Sequence, residues 1–465
     1  MYAETVLKEW MEAQVPVAPK MKDGPAFYRN LEQSLDVHRS THSLLLAKPR
    51  WDDSIVDLTT SDALSLNRDG IVRDLLLKEL QAQGDFILSA SGSRVQYGNY
   101  EYLIQTEKEI AEFHGAETAY IAHSGFMANA SAVAAIGTPG DVFVYDELVH
   151  TSSHDGMKLS QVAEQIKFKH NDVESLRDIL TNLRDTHPKL KAGTKNVIIL
   201  VESIYSMDGD VCPLKECVAV AKEIFPLGNA QFVIDEAHST GVIGPQGRGL
   251  VNMLGLEKEI AVRIHMCSKA LASTGGVILC NKHIRNALIN NARFFVYSGS
   301  PSFAMVASMR VGYQQLMSGA TMERQEQIQR VVKHFFKTMQ EHPVYEEAVE
   351  EGIISIPPME DWESRKWHTH IVPIRTRNHY EKYLFYHVLL IAKMNAYAWS
   401  FPIVPKGQSR LRIVFHNHNT FKQVEDLVNA ICDWAQEMLD IEAGTSDTTL
   451  PKATRQVYAL QGIES

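Results

Sequence analysis

The sequence predicts an α/β protein with a large, mostly parallel sheet, followed by a smaller α+β domain. Apolar segments of strand length alternate with helical segments between residues 116 and 278. Several of these segments are continuously apolar, as expected for strands buried on both faces of a parallel sheet. The chain has 465 residues, of which 45% are hydrophobic, so it is long enough for a large domain and a smaller one.

Composition and charge exclude several classes of protein. The formal net charge is −10 and no segment is rich in lysine and arginine, so binding to nucleic acid or to an anionic membrane is not predicted. No apolar run approaches the roughly 20 residues of a membrane span. The 5 cysteines form no CxxC pair, which indicates a reducing compartment. Because the N-terminus resembles neither a secretory signal nor a transit peptide, we expect a cytoplasmic protein.

Residues 1–54 are predicted to form an N-terminal helical arm. Helical patterns in this segment are interrupted by Pro16, Pro19 and Pro25, which favours an arm lying over another surface rather than an independent core. Arms of this kind often contact a second subunit.

Residues 55–305 are predicted to form the large domain. A strand-like segment, 55–66, precedes an amphipathic helix that ends at Gly84, and another helix covers residues 101–115. Strands and helices then alternate through the segments 116–137, 141–150, 165–183, 196–210, 231–249 and 261–267. This alternation implies right-handed crossovers and a sheet covered by helices on both faces.

Residues 306–441 are predicted to form the smaller domain. Long helical patterns follow Pro301, and strand-like segments then alternate with helices up to a closing helix that begins near Phe421. Residues 442–465 are polar and are predicted to be a loosely held tail.

Polar side chains follow the predicted strands of the large domain. They are His150, Glu202, Ser206, Asp235, His238 and Lys269. Since ligands bind at the carboxyl ends of the strands in such sheets, we expect these side chains to share one site.

Lys269 has the surroundings of a reactive amine. It follows an apolar strand and precedes small residues and the pair Gly275 and Gly276. An amine in such a place is desolvated, loses its proton near neutral pH and attacks carbonyl groups. A solvated loop lysine is the alternative interpretation.

Asp235 and Lys269 together suit a cofactor with a basic ring nitrogen and an aldehyde, which describes pyridoxal phosphate. Asp235 would keep the ring nitrogen protonated, and the alternative is a helix cap or an ion pair. His238 would bind the ring hydroxyl and His150 would stack on the ring, although either histidine has a structural or solvated alternative.

The phosphate and the substrate each have a candidate site. Ser124, Gly125 and Phe126 begin a helix whose free N–H groups would bind a phosphate, with plain turn geometry as the alternative. Arg410 and Arg412 share one face of a strand, and Arg412 would hold a substrate carboxylate unless it makes a surface ion pair.

No metal site is expected. His368 and His370, like His416 and His418, are close in sequence, but they have no cysteine or acidic partner at a ligand spacing. Positions on a strand face are the favoured interpretation of both pairs.

Seven segments in order resemble the α-oxoamine synthases, the family of 8-amino-7-oxononanoate synthase and serine palmitoyltransferase. They are residues 123–133, 146–156, 170–176, 202–210, 235–249, 268–276 and 410–413. The resemblance covers about residues 55–435. It implies a homodimer of the fold-type I pyridoxal-phosphate transferases, which resemble aminotransferases, with active sites at the subunit interface.

The resemblance also implies a role for each candidate residue. Lys269 would form the imine with the cofactor, Asp235 would bind the ring nitrogen, and His150 would stack on the ring. The remaining assignments are His238 and Ser206 near the ring hydroxyl, Ser124, Gly125, Phe126, Ser268 and Ser298 at the cofactor, and Arg412 at the substrate carboxylate. The implied reaction joins an amino acid to an acyl thioester, of coenzyme A or of acyl carrier protein, and releases carbon dioxide to give an α-amino ketone.

The sequence departs from the family pattern at several positions. Met266 replaces a threonine expected to help bind the phosphate, and Gly299 replaces a threonine expected to reach the phosphate of a partner subunit. Residues 61–65 depart from the family's Asn-Asp-Tyr-Leu-Gly segment, and Leu103 replaces a histidine. These departures predict a divergent member that uses a specialised acyl chain carried on acyl carrier protein. Two alternatives are another pyridoxal-phosphate reaction, such as aldol cleavage or transamination, and a non-catalytic partner subunit.

Overall fold

The N-terminal arm is helical in the computed structural model, which describes residues 2–47, 54–377, 380–401 and 403–460. Helix α1 (Tyr2–Ala13) is followed by helix α2 (Ala26–Ser40), which begins directly after Pro25. Leu7 and Met11 of α1 are buried in a small apolar cluster with residues from the far end of the chain. The arm is therefore anchored by α1, as its amphipathic pattern predicts.

The segment predicted as a strand at residues 55–66 is mostly turn. Only β1 (Val56–Asp57) pairs, and its partner is a short parallel strand of the second domain. The Asp57 carboxylate accepts hydrogen bonds from the backbone N–H groups of Thr59 (2.9 Å) and Thr60 (3.0 Å), which turns the chain away from the strand. Helix α3 (Ile71–Gln83) ends at Gly84 as predicted, and α4 (Glu101–Phe113) follows.

A seven-stranded sheet forms the centre of the large domain and confirms the predicted fold class. Its strands are β2 (Thr118–Ala122), β3 (Val142–Asp146), β4 (Glu164–Phe168), β5 (Val197–Glu202), β6 (Ala230–Asp235), β7 (Val262–Met266) and β8 (Gly276–Cys280). Their order is β2-β8-β7-β6-β5-β3-β4, and only β8 runs against the others. The carboxyl ends of β3, β5, β6 and β7 consequently lie side by side.

Helices cover both faces of this sheet. They are α5 (Gly125–Ile136), α6 (Thr151–Leu159), α7 (Val173–Thr186), α8 (Pro188–Lys191), α9 (Leu214–Ile224), α10 (Leu250–Leu254), α11 (Lys282–Asn291) and α12 (Arg293–Val296). Alternate residues of β5 enter different clusters, since Ile199 packs in one and Ile198 and Leu200 pack in the other. Both faces of β5 are thus apolar, which explains its continuous hydrophobic sequence.

The second region combines helices with a four-stranded antiparallel sheet of order β12-β13-β10-β9. Its elements are α13 (Phe303–Met317), α14 (Met322–Gln340), α15 (Tyr345–Glu350), β9 (Ile354–Ser355), β10 (Ile371–Thr376), α16 (Tyr380–Leu390), β11 (Met394–Asn395), β12 (Tyr397–Trp399), β13 (Arg410–Val414) and α17 (Phe421–Glu442). Strand β11 is the partner of β1.

The segment expected to be a loose tail contains a packed helix, α18 (Lys452–Ala459). Ala453 and Val457 are fully buried in the cluster that also holds Leu7 and Met11 of α1. Their spacing of four residues places both on one face of α18, a signal that the polar composition of the segment concealed. Among the described residues, no helix combines the length and the apolar character needed to cross a bilayer.

Candidate active site

Lys269 follows β7 and contacts a histidine from the neighbouring strand. Its Nζ lies 2.8 Å from Nε2 of His238, which follows β6. Burial lowers the pKa of Lys269 to about 8, although the nearby carboxyl groups of Asp235 and Glu202 act in the opposite direction. Burial also lowers the pKa of His238 well below its usual range, and the positive charge of Lys269 adds to this effect. A neutral imidazole thus accepts a hydrogen bond from the amine.

The depressed pKa of Lys269 implies a cost to stability in the cofactor-free protein. The folded state holds this proton less tightly than the unfolded state, so the cost is complete below pH 8 and disappears as the pH rises towards 10.5. We expect Lys269→Met to stabilise the cofactor-free protein by about 1–3 kcal/mol at pH 7 and by much less at pH 10. Urea unfolding at both pH values measures the difference, with the exposed Lys108 replaced by methionine as the control. An equal gain at both pH values would contradict the assigned environment.

Asp235 ends β6 and is buried. Its Oδ1 accepts a hydrogen bond from the backbone N–H of Ala237 (2.8 Å), and its Oδ2 accepts one from Nδ2 of Asn129 (3.2 Å). Asn129 lies in α5, and its Nδ2 also contacts the hydroxyl oxygens of Ser152 (2.9 Å) and Ser153 (3.0 Å). The carboxylate is therefore held from two sides. No sequence pattern indicates Asn129, which stands among small residues of a buried helix.

Glu202 lies beside Asp235, because the two residues are paired at the ends of adjacent strands. Burial raises the pKa of Glu202 well above its usual range, and the negative charge of Asp235 raises it further. Glu202 Oε1 accepts a hydrogen bond from the backbone N–H of His150 at 2.6 Å. A protonated Glu202 holds the His150 backbone without adding a second negative charge. Sequence analysis placed Glu202 at this edge but assigned it no role.

His150 forms the N-cap of α6, where its Nδ1 accepts a hydrogen bond from the backbone N–H of Ser152 (3.2 Å). Burial lowers the pKa of His150, so the neutral ring is favoured. The ring lies edge to face with Phe126, with centroids 6.0 Å apart. This cap and the contact with Phe126 fix the ring at the sheet edge.

Ser124, Gly125 and Phe126 form the start of α5 as predicted, and the Ser124 hydroxyl caps the helix by accepting a hydrogen bond from the Met127 N–H (3.1 Å). Met266, at the end of β7, packs directly against Gly125. A Cβ added to Gly125 would lie 2.4 Å from both Cγ and Sδ of Met266. The residue that replaces the expected threonine hydroxyl therefore makes an apolar contact with the beginning of this helix.

The contact between Gly125 and Met266 predicts a coupled pair of substitutions. We expect Gly125→Ala to destabilise the protein by about 1–3 kcal/mol through overpacking. In a Met266→Ala background the same change should cost at least about 1 kcal/mol less, because the clashing atoms are gone. Urea unfolding of the four proteins measures the coupling. Gly299→Ala is the control, since its added Cβ meets no atom within 4 Å. If the free-energy costs of the two substitutions were simply additive, the contact between Gly125 and Met266 would be contradicted.

Arg410 and Arg412 of β13 have different environments. Arg410 is fully buried, forms an ion pair with Asp208 and donates from Nε to the carbonyl of Gln408 (2.9 Å). Arg412 has no hydrogen-bond or ion-pair partner among the described residues, and burial lowers its pKa to about 10. Its positive charge is close enough to lower the pKa values of Lys269 and His238. Arg412 is thus a cation available to a ligand.

His370 is a third histidine at the site, and its sequence pattern predicted only a position on a strand face. It is buried immediately before β10, and its ring centroid lies 6.2 Å from that of His238. Burial lowers the pKa of His370 to about 3, and its Nδ1 makes no hydrogen bond within the described part of the chain. The second domain therefore contributes both Arg412 and His370 to the neighbourhood of Lys269.

The serines predicted at the cofactor lie at different places. Ser268 is exposed and lines a cavity of about 280 Å³ together with Lys269, Asp62, Arg68 and His418. Ser206 is half-buried in the turn that follows β5.

Ser298 lies between α12 and α13. Its hydroxyl donates a hydrogen bond to the Phe294 carbonyl, and the following residue, Gly299, forms a bridge with Ser93. In the described ranges, no group of three or more histidine, cysteine or acidic side chains is placed to hold a metal ion.

Comparisons with known proteins concern the chain as a whole. The model of the family "Aminotransferase class I and II" matches residues 53–431. An aminoacyl transferase named sphA from Aspergillus fumigatus is 47% identical over 98% of this chain and 97% of its own length. The 8-amino-7-oxononanoate synthase of Emericella nidulans is 36% identical over 83% of this chain and 90% of its own. A structure of serine palmitoyltransferase from S. paucimobilis, with bound pyridoxal phosphate and myriocin, superposes with a TM-score of 0.72 at 21% identity, over 88% of this chain and 98% of that one.

Proposed function

We propose that this chain, which belongs to the aminotransferase class I and II family and within it to the α-oxoamine synthases, is a pyridoxal-phosphate-dependent acyltransferase. It condenses an amino acid with an acyl thioester, and the thiol and carbon dioxide leave to give an α-amino ketone. The observation that carries the proposal is the contact of Lys269 with His238, close to the charges of the buried Asp235 and of Arg412, which has no ionic partner among the described residues.

The residues at this edge fit pyridoxal phosphate. Lys269 offers an amine whose proton is weakly held, and the buried Nδ1 of His238 has no partner among the described residues. The first N–H groups of α5, at Gly125 and Phe126, would hold the phosphate, and His150 would lie against the ring. When bound, the cofactor supplies an aldehyde for the amines of Lys269 and the substrate, and a cationic ring that withdraws electrons from the substrate α-carbon.

Asp235 would keep a proton on the ring nitrogen of the cofactor. The N–H of Ala237 and the amide of Asn129 hold its carboxylate in place, and the neutral form of Glu202 leaves Asp235 as the main negative charge at this point. An opposite charge at close range favours a protonated ring nitrogen. Asn129 is thus a positioning residue, which acts through Asp235.

Lys269 would move the proton at the substrate α-carbon. A pKa of about 8 leaves the amine partly neutral at physiological pH, which suits a group that both removes and returns a proton. The neutral His238 accepts a hydrogen bond from this amine and so orients it. Arg412 would bind the carboxylate of the amino acid until that group is lost.

The proposal predicts that substitution of Arg412 affects substrate binding, whereas substitution of Arg410, also in β13, affects stability. We expect Arg412→Gln to raise KM for the amino acid by roughly 10–100-fold, because a charge-assisted hydrogen bond to the substrate is lost. Thermal stability should change little, since Arg412 binds no described residue.

Arg410→Gln is the matched comparison. Among the described residues it leaves the buried carboxylate of Asp208 with Arg375 alone as an ionic partner, so it should lower stability by about 3 kcal/mol or more. Steady-state kinetics and thermal melts of both variants test the assignment. A large KM effect from Arg410→Gln without loss of stability would reverse the two roles.

We further infer a homodimer with active sites at the subunit interface, and acyl carrier protein as the carrier of the acyl chain. The family membership supports the dimer. The position of Ser298 between the exposed residues Tyr297 and Gly299 is compatible with contact to a partner subunit. Sedimentation of the holoprotein tests the dimer, and turnover with matched coenzyme A and carrier-protein thioesters tests the carrier. Faster turnover with the coenzyme A thioester would count against the carrier.

The reaction itself is tested with amino acids labelled at the carboxyl carbon. The holoprotein should release labelled carbon dioxide only when an acyl thioester is present. Release without thioester, or retention of the label in the product, would indicate a different pyridoxal-phosphate reaction.

A further inference from the structure

A second cavity lies between the N-terminal arm and the edge of the four-stranded sheet. It has a volume of about 380 Å³, which is within the range of small-molecule sites. Its walls are mainly aromatic and aliphatic, and they include Trp10, Leu35, Phe385, Tyr397, Trp399 and Phe401. No carboxylate is among the described residues that line it. The cavity is therefore suited to an apolar ligand.

The cavity adjoins the strand that carries Arg412. Tyr397 of β12 is paired directly with Arg412 of β13 in the antiparallel sheet. Residues opposite each other in such a pair point to the same face, with Cβ atoms about 4.5–5.5 Å apart. The Tyr397 ring and the Arg412 guanidinium thus share one face of the sheet, and the Arg412 charge reaches Lys269. One residue pair separates the cavity wall from the candidate active site.

An apolar stripe on α2 continues the cavity towards solvent. Phe27, Leu31 and Leu35 are spaced by four residues and lie along one side of the helix. Leu35 lines the cavity, whereas Phe27 and Leu31 are 68% and 48% exposed. Contiguous exposed apolar side chains of this kind mark a surface that binds another apolar group. Cavity and stripe together form an extended path rather than a closed pocket.

We propose that this cavity and the α2 stripe bind the aliphatic chain of the acyl thioester, with the distal carbons directed towards α2. The proposal rests on the function proposed above and adds the class of acyl group: a linear chain long enough to pass from the strand of Arg412 into the cavity. Because burial of each methylene is favourable, each carbon added within the cavity should tighten binding by roughly fourfold. Short-chain thioesters, which do not reach the cavity, should bind without this gain.

Binding is tested on the full-length holoprotein without turnover. The probe is a non-cleavable octadecyl thioether of coenzyme A with a nitroxide in the middle of the chain. Because Trp10 and Trp399 line the cavity, the probe should quench tryptophan fluorescence saturably. Trp10→Phe and Trp399→Phe should each remove part of the quenching. The fluorescence of Trp434, which is buried in the core, should not be quenched by the probe.

A charge placed in the cavity should selectively weaken binding of the probe. Phe401→Asp adds a carboxylate at a lining residue that is 55% exposed, so the fold should tolerate it, and affinity should fall at least tenfold. Leu227→Asp is the matched control, since Leu227 is 67% exposed and lies outside the cavity lining. Equal affinity of both variants and the wild type would overturn the proposal. Equal quenching by nitroxide-labelled phosphatidylcholine vesicles would also overturn it and would indicate a membrane-lipid site.

Turnover separates this proposal from the proposed reaction. In the wild type, kcat/KM should rise with acyl length, and in Phe401→Asp the rise should disappear while short-chain kcat/KM stays within about twofold. Condensation that is equally sensitive to chain length in both proteins overturns the cavity assignment but keeps the reaction. Saturable quenching without any thioester-dependent release of carbon dioxide keeps the chain site and rejects the reaction.

Discussion

Lys269→Ala is expected to lower activity by on the order of 10³-fold or more, because it removes both the covalent attachment of the cofactor and the group proposed to move the α-proton. The variant should also lack the absorbance band of the lysine-bound cofactor. Treatment of the wild type with borohydride should fix the cofactor to Lys269, which mass spectrometry of the peptide detects. The contact with His238 and the depressed pKa make Lys269 the favoured attachment point.

Lys108→Ala is the control for this experiment, because Lys108 is exposed on α4 and its ion pair with the exposed Glu112 is long, at 3.9 Å. It should keep the absorbance band and full activity. A borohydride-reducible band that persists in Lys269→Ala would place the attachment at another lysine and overturn the site.

Asp235→Asn is expected to reduce kcat by roughly 10²–10⁴-fold, equivalent to about 3–5 kcal/mol of transition-state stabilisation. An amide has nearly the same shape but carries no charge, so it does not keep the ring nitrogen protonated. Because Ala237 and Asn129 donate to different oxygens of the carboxylate, the amide would also place its NH2 group against one of these two donors. The absorbance spectrum of the bound cofactor should shift together with the loss of kcat, whereas KM should change less.

Two further variants identify the cause of this loss. Asn129→Ala keeps the carboxylate and removes one of its donors, so it should give a smaller loss, about tenfold, with a partial spectral shift. Asp178→Asn, at an exposed position of α7, should leave both quantities unchanged. If Asp235→Asn bound the cofactor normally and retained wild-type kcat, the ring-nitrogen role would be wrong.

The polar residues at the carboxyl edge of the sheet were predictable, because each ends or closely follows its strand in the sequence. A buried parallel strand is continuously apolar, so the polar residue that follows it stands out, as Asp235 and Lys269 do. The chain topology then brings these strand ends together without further information. The same local argument fails for Asn129, because a polar side chain in a helix of small residues has no distinctive spacing.

Contributions from the second domain required the three-dimensional structure. Alternation along β13 showed that Arg410 and Arg412 share a face, but the partner that neutralises Arg410 is Asp208, which is 202 positions away. His370 likewise reaches His238 only through the packing of the second domain on the first. At residues 55–66 the sequence pattern predicted a strand, but the Asp57 carboxylate accepts hydrogen bonds from the backbone N–H groups of Thr59 and Thr60, which turn the chain after β1.

The packing of α1 against the last part of the chain has a consequence for biosynthesis. Leu7 and Met11 are buried in a cluster with residues of α16 and α18, both of which leave the ribosome late. Until α16 has been synthesised, the apolar face of α1 therefore lacks these partners and is open to chaperones or to misassociation with other chains. Because Trp10 of α1 lines the cavity beside β12, that cavity is completed only after α16 and β12 have been synthesised.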